Sequence, residues 1–187
     1  MEQAKIVLII LLGLSGLKTY AYEFSAKNDD GITIYYNYTN NGLELEVTYC
    51  DESKGKYEGI IVIPDEVTYM NRTRKVTSIG KNAFSKNGQG ITSITIPQIV
   101  TNIGDYAFAY CRNLASITLP SKLETIGASA FKSCEFSSID LPSNVTSIGS
   151  SAFYNCMNLT SIVIPSSVKS IGFNAFERVY LETSKQP

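Results

Sequence analysis

Residues Ser93–Leu114 read SITIPQIVTNIGDYAFAYCRNL, and the same arrangement returns along the rest of the chain. The pair Ala-Phe recurs at Ala83-Phe84, Ala107-Phe108, Ala130-Phe131, Ala152-Phe153 and Ala175-Phe176, in steps of 24, 23, 22 and 23 residues. Each pair follows an Ile-Gly, at Ile79-Gly80, Ile103-Gly104, Ile126-Gly127, Ile148-Gly149 and Ile171-Gly172, and each Ile-Gly follows an aliphatic residue (Val76, Val100, Leu123, Val145, Val168). An aliphatic-x-aliphatic-Pro stripe completes the unit at Ile61–Pro64, Ile94–Pro97, Ile117–Pro120, Ile139–Pro142 and Ile162–Pro165. Repetition in phase at so many positions means that each copy packs against its neighbours in the same way.

A period near 23 residues lies in the range of leucine-rich solenoids, where one repeat makes one coil and stacks on the next. The fold expected is therefore a leucine-rich-repeat solenoid of about five coils, with short parallel strands and short helical or 3₁₀ turns. In Ser93–Pro97 two isoleucines alternate with polar residues, the period of a strand with one buried face. Proline ends that strand because it has no N–H to leave unpaired. Stacking sets such strands about 4.8 Å apart in a parallel sheet. The glycine after each isoleucine is expected to turn the chain at φ values closed to other residues. The following x-x-Ala-Phe is expected to be one tight helical or 3₁₀ turn, its phenylalanine plugging the core.

These residues resemble the BspA-like, or Treponema-type, leucine-rich repeat family, found chiefly in bacterial surface proteins. The resemblance runs from about Gly59 to the end, with spacing, Ile-Gly, Ala-Phe, Cys and Ile-Pro all in phase. It implies a curved solenoid, no catalytic activity, and roles in adhesion to host proteins or other cells. It brings no catalytic or ligand-binding residue with it, because the shared motif is structural. Asn87 and Val179 stand where the first and last units would carry cysteine. Extra residues between Pro64 and Ile79, including Tyr69 to Lys75, suggest a protruding loop.

Three segments follow from this reading: a signal peptide at 1–21, an N-terminal β-hairpin cap at 22–58 and BspA-like repeats at 59–187. The apolar run Ile6–Leu14 is too short to span a bilayer, and Thr19-Tyr20-Ala21 supplies small residues for cleavage after Ala21. Export follows, to the medium, the periplasm or the cell surface, with no transmembrane segment in the mature chain. Ile32–Tyr38 and Leu43–Tyr49 both alternate around Thr39-Asn40-Asn41-Gly42, a hairpin turn signal, and such a hairpin would cover the open edge of the first coil. Val179 to Glu182 reads as a last strand.

Composition removes whole classes of chemistry. The 187 residues include no histidine, so imidazole bases, His-ligated metals and His proton shuttles are all excluded. Sixteen basic and 17 acidic side chains leave a formal charge of −1, with no basic field for nucleic acid. Asp29-Asp30, Asp51-Glu52 and Asp65-Glu66 lack the alternating acidic spacing of a calcium loop, and no nucleophile elbow, phosphate loop or dinucleotide fingerprint is present. Cys111, Cys134 and Cys156 share one repeat column, where adjacent coils set their Cβ atoms side by side, which favours buried free thiols over disulfides. Cys50 is expected to be unpaired. No catalytic residue, metal site or cofactor is expected, and the chain is read as a non-enzyme.

Function must then sit on outward positions, which differ from coil to coil. Along the strands these are Ser93, Ser116, Ser138 and Ser161, then Thr95, Thr118, Asp140 and Val163. Around the Ala-Phe turns the variable positions carry Tyr106, Tyr110, Tyr154 and Phe173, residue types that dominate interfaces. The candidate partner-binding residues are Tyr106, Tyr110, Tyr154, Phe173, Thr95, Thr118 and Asp140. The partner is a protein or a surface glycan, on an adhesin-like exported protein. The alternative is a structural envelope spacer that self-associates.

Overall fold

A computed structural model describes residues 22–49, 57–85 and 90–181. The expected signal peptide at 1–21, Cys50, Asp51-Glu52, Asn87 and Glu182 lie outside the described residues.

Stacked coils give repeating parallel strands, but the continuous sheet is built on a different part of the repeat from the one the sequence suggested. The residue pairs ending at the isoleucine of Ile-Gly form it: β8 (Asn102–Ile103), β9 (Thr125–Ile126), β11 (Ser147–Ile148) and β13 (Ser170–Ile171), each parallel to the next. Their isoleucines Ile103, Ile126 and Ile148 are buried, in register with Ile79. The strands of the aliphatic-x-aliphatic-Pro stripe pair in two separate parallel couples: β4 (Glu58–Val62) with β7 (Gly90–Thr95), and β10 (Ser138–Asp140) with β12 (Ser161–Val163). Ser116–Leu119, between them, is not assigned to a strand.

At the N-terminal end the sheet turns antiparallel. β1 (Phe24–Lys27) pairs with β2 (Thr33–Thr39), and β2 with β3 (Glu44–Thr48) across a 3₁₀ turn at Asn40–Gly42. β3 then runs parallel to β6 (Arg72–Ile79), which passes the ladder on to β8. The extra residues at Tyr69 to Lys75 are not a loop. They belong to an antiparallel hairpin of β5 (Glu66–Tyr69) and β6 whose central residues, Met70 and Asn71, both have positive φ (51° and 58°), as a type I′ turn requires. Val179–Leu181 is irregular rather than a strand.

The phenylalanines of the Ala-Phe pairs form one column. Successive rings from Phe84 through Phe108, Phe131 and Phe153 to Phe176 lie 5.2 to 5.4 Å apart with planes within 14° of parallel. Tyr57 continues the column past Phe84, with centroids 5.0 Å apart. Burial of four of these rings in full makes the column the axis of the hydrophobic core.

The turns that carry these rings differ from the expected helical or 3₁₀ form. Residues two beyond each Ile-Gly glycine's isoleucine-glycine pair, namely Asn82, Tyr106, Ser129, Ser151 and Asn174, have left-handed φ, as do Tyr110, Ser133, Asn155 and Arg178 after Ala-Phe. Left-handed residues at these intervals break helical continuity. They also swing amides outward: the N–H groups of Tyr106, Phe108 and Tyr110 donate to the carbonyls of Ala128, Ala130 and Lys132 in the following coil, at 2.7 to 2.9 Å. The turn face is therefore hydrogen-bonded from coil to coil, as the sheet face is.

The Ile-Gly glycines are not left-handed; the positive-φ glycines among the described residues are Gly31, Gly42 and Gly59. Close approach explains the others. A Cβ at Gly127 would stand 2.6 Å from the backbone of Gly104 and Asp105, and one at Gly149 2.5 Å from Gly127 and Ala128. From Gly104 onward each of these glycines also donates its N–H to the preceding coil's isoleucine, as Gly127 does to Ile103 at 2.7 Å, while Gly80 donates to Val47 of β3.

Candidate interaction surface

The stacking sorts every repeat position into inward or outward, so the candidate surface is what the coils leave uncovered. Thr95, Thr118 and Asp140 are exposed along one side. Parallel register places Thr95 beside Val62 and Asp140 beside Val163, which extends the outward strip with an exposed apolar residue at each end. Thr118 lies in the coil between the two strand pairs, outside any ladder.

The aromatic candidates occupy four different positions of the turn. Phe173 and Tyr106 fall one and two residues after the glycine, Tyr154 and Tyr110 one and two after Ala-Phe. Phe173 is 80% exposed, Tyr106 and Tyr110 are exposed, and Tyr154 is half-buried. The left-handed backbone at Tyr106 and Tyr110 recurs where other coils place Asn, Ser or Arg, so these rings are not required by the turn.

Tyr110 and Tyr154 are brought into one row, and Lys132 joins them. The Lys132 Nζ lies 5.8 Å from the Tyr110 ring centre and 5.1 Å from that of Tyr154. The Arg178 guanidinium sits 5.6 Å from Tyr154 on the next coil. Ring and cation thus alternate, Tyr110, Lys132, Tyr154, Arg178, one coil at a time, at distances typical of cation–π contacts. Tyr106 and Phe173 lie in the first and last of these four coils and make no ring contact with the row among the described residues. Sequence reading missed Lys132 and Arg178. Their signal was the spacing, since Tyr110, Lys132 and Tyr154 follow one another at intervals of 22 residues.

On the inward side the three column cysteines are free and buried. Each thiol donates to the phenylalanine carbonyl of the preceding coil: Cys111 to Phe84 at 3.8 Å, Cys134 to Phe108 at 3.2 Å and Cys156 to Phe131 at 3.1 Å. Burial pushes the Cys111 thiol up to about 12 and the Cys156 thiol up to about 11, and raises Cys134 well above the ordinary range. Neutral thiols of this kind are packing groups rather than nucleophiles. No group of acidic or cysteine side chains among the described residues is arranged to hold a metal ion, and no described helix is long and apolar enough to cross a membrane.

A family model for the BspA type leucine rich repeat region matches residues 61–187 in six copies. Among solved structures, a leucine-rich repeat protein from Bacteroides ovatus is 31% identical, over 78% of this chain and 43% of its own, with a TM-score of 0.56. A T. pallidum leucine-rich repeat protein is 27% identical, over 79% of this chain and 66% of its own, with a TM-score of 0.68. A leucine-rich cell surface protein from Faecalibacterium prausnitzii, at 23% identity and a TM-score of 0.58, shares the fold over 86% of this chain and 54% of its own. The chain thus spans less than half of the Bacteroides ovatus protein and about two thirds of the T. pallidum one. Comparison with curated protein sequences gives no significant match.

Proposed function

From the premise that this chain belongs to the BspA-type leucine-rich repeat family, we propose that it is an exported, adhesin-like binding protein whose outward repeat positions recognise a protein or a surface glycan. Membership of that family goes with a non-catalytic scaffold or adhesion role. The observation that carries the reading is the division of labour within each coil. Inward columns repeat Ile, Phe and Cys because every coil fills the same space, while exposed positions hold Tyr110, Phe173, Thr118 and Asp140 without such constraint. The apolar run Ile6–Leu14, ahead of the small residues ending at Ala21, supports residues 1–21 as a signal peptide. The pairing of β2 with β3, and of β3 with β6, supports residues 22–58 as a cap on the repeats at 59–187.

Immobilised mature protein, exposed to host matrix proteins, surface glycans and bacterial cells, tests the reading. Capture of a partner that weakens when Tyr110 and Tyr154 are replaced together, or Thr118 and Asp140 together, supports it. Absence of any captured partner, with size growing with concentration, would replace it with a self-associating spacer.

A further inference from the structure

We infer that the Tyr110–Lys132–Tyr154–Arg178 row docks an acidic polypeptide segment that lies along the solenoid axis, a reading that rests on the proposed binding function and adds the chemistry of the partner. Lys132 and Arg178 stand on coils two steps apart, about 10 Å at the ~4.8 Å spacing of neighbouring strands. Among the described residues both cations rest on ring faces rather than in a carboxylate pair, so their charge is held in place and left available. Tyrosine faces fix the long side chains without neutralising them, which lowers the ordering cost when an anion arrives.

The same geometry disfavours a sugar as the occupant. Tyr154 carries Lys132 from the coil before it and Arg178 from the coil after it, so a pyranose stacking on that ring would have to displace a cation. What the row offers is charge and phenolic hydroxyls, the donors that a carboxylate accepts. Glu177 opposes this. It is exposed on the same turn as Arg178 and follows Tyr154 in the same repeat position. Removing its charge must therefore strengthen docking, whereas a purely structural cation–π ladder gives no such gain.

The probe is a fluorescein-labelled oligoglutamate peptide titrated with the full mature protein at low salt, with oligoglutamine and heparin as the other arms. The expected result is binding of oligoglutamate that weakens with added salt, falls about tenfold in Lys132→Gln/Arg178→Gln, and tightens in Glu177→Gln. Oligoglutamine should not bind. Unchanged oligoglutamate affinity in the double variant, or no tightening in Glu177→Gln, overturns the inference, and Glu177→Gln decides alone if the double variant fails to fold. Tighter binding of heparin than of oligoglutamate overturns it in favour of an anionic polysaccharide. A natural partner lost on replacing Tyr110 and Tyr154 but indifferent to Lys132→Gln/Arg178→Gln leaves the proposed function standing and removes the acidic segment.

Discussion

Cys134 donates its thiol to the carbonyl of Phe108, 3.2 Å away and one coil back. The Phe108 N–H in turn donates to the carbonyl of Ala130, in the same coil as Cys134, at 2.8 Å. A single phenylalanine thus ties three functions of the repeat together: its ring fills the core, its amide bonds forward, and its carbonyl takes the cysteine. Replacing Cys134 by alanine removes the thiol's bond, leaving the carbonyl with the Cys111 N–H at 3.1 Å, and opens a small void. The expected loss is about 1–3 kcal/mol in chemical denaturation. A loss below about 0.5 kcal/mol would mean that the thiol contributes volume and not a bond.

The same burial sets the redox and pH behaviour of the column. Thiol titration of the native protein should find Cys111, Cys134 and Cys156 unreactive, and unfolding without reductant should expose all four cysteines of the chain. A denatured count short by two would reveal a disulfide. The folded thiols at about 12 for Cys111 and about 11 for Cys156 lie above the ordinary value of 9.0. The unfolded state therefore gives up protons first, and stability falls as the pH rises from about 9 toward those values. Melting temperature followed from neutral to alkaline pH checks this, with the descent reduced in a variant that has alanine at Cys111 and Cys156.

Two kinds of glycine should respond oppositely to asparagine. Gly42 has φ +81° and no atom within 4 Å of where a Cβ would stand, so Gly42→Asn is tolerated at under about 1 kcal/mol, because asparagine accepts left-handed φ. Gly127 has no such φ, and its Cβ would collide with backbone at 2.6 Å, so Gly127→Ala costs about 2–3 kcal/mol and asparagine brings no relief. Equal losses at the two sites in urea denaturation would remove close coil contact as the reason for the Ile-Gly motif.

The columns were legible in the sequence because each recurs in phase: one phenylalanine predicts the rest, and the rings indeed stack from Phe84 to Phe176. The reason for a column was less legible. Glycine serves both left-handed φ and close approach, yet the residues after it held a clue, since Asn82 and Asn174 occupy the positions that are left-handed. The two-residue strands such as Thr125–Ile126 escaped notice because they are too short to show alternation, whereas Ser138–Asp140 could be read from its isoleucine flanked by polar residues. On the surface, Tyr110 and Tyr154 stood out by residue type. Lys132 looked like any solvated charge until stacking placed it between them.

The division between inward and outward positions is tested most directly by one panel, measured for both denaturation and capture of the same partner: Phe131→Ala, Phe176→Ala, and Tyr110→Ala with Tyr154→Ala. Phe131 is buried between Phe108 and Phe153, each 5.4 Å away, and its truncation should cost about 3–5 kcal/mol while the folded fraction still captures. Phe176 is half-buried and stacks on Phe153 at 5.3 Å, so its truncation should cost less. The tyrosine pair should lose capture while stability changes by no more than about 1–2 kcal/mol. Equal losses of stability at Phe131 and Phe176, or full capture by a folded protein lacking both tyrosines, would contradict the account.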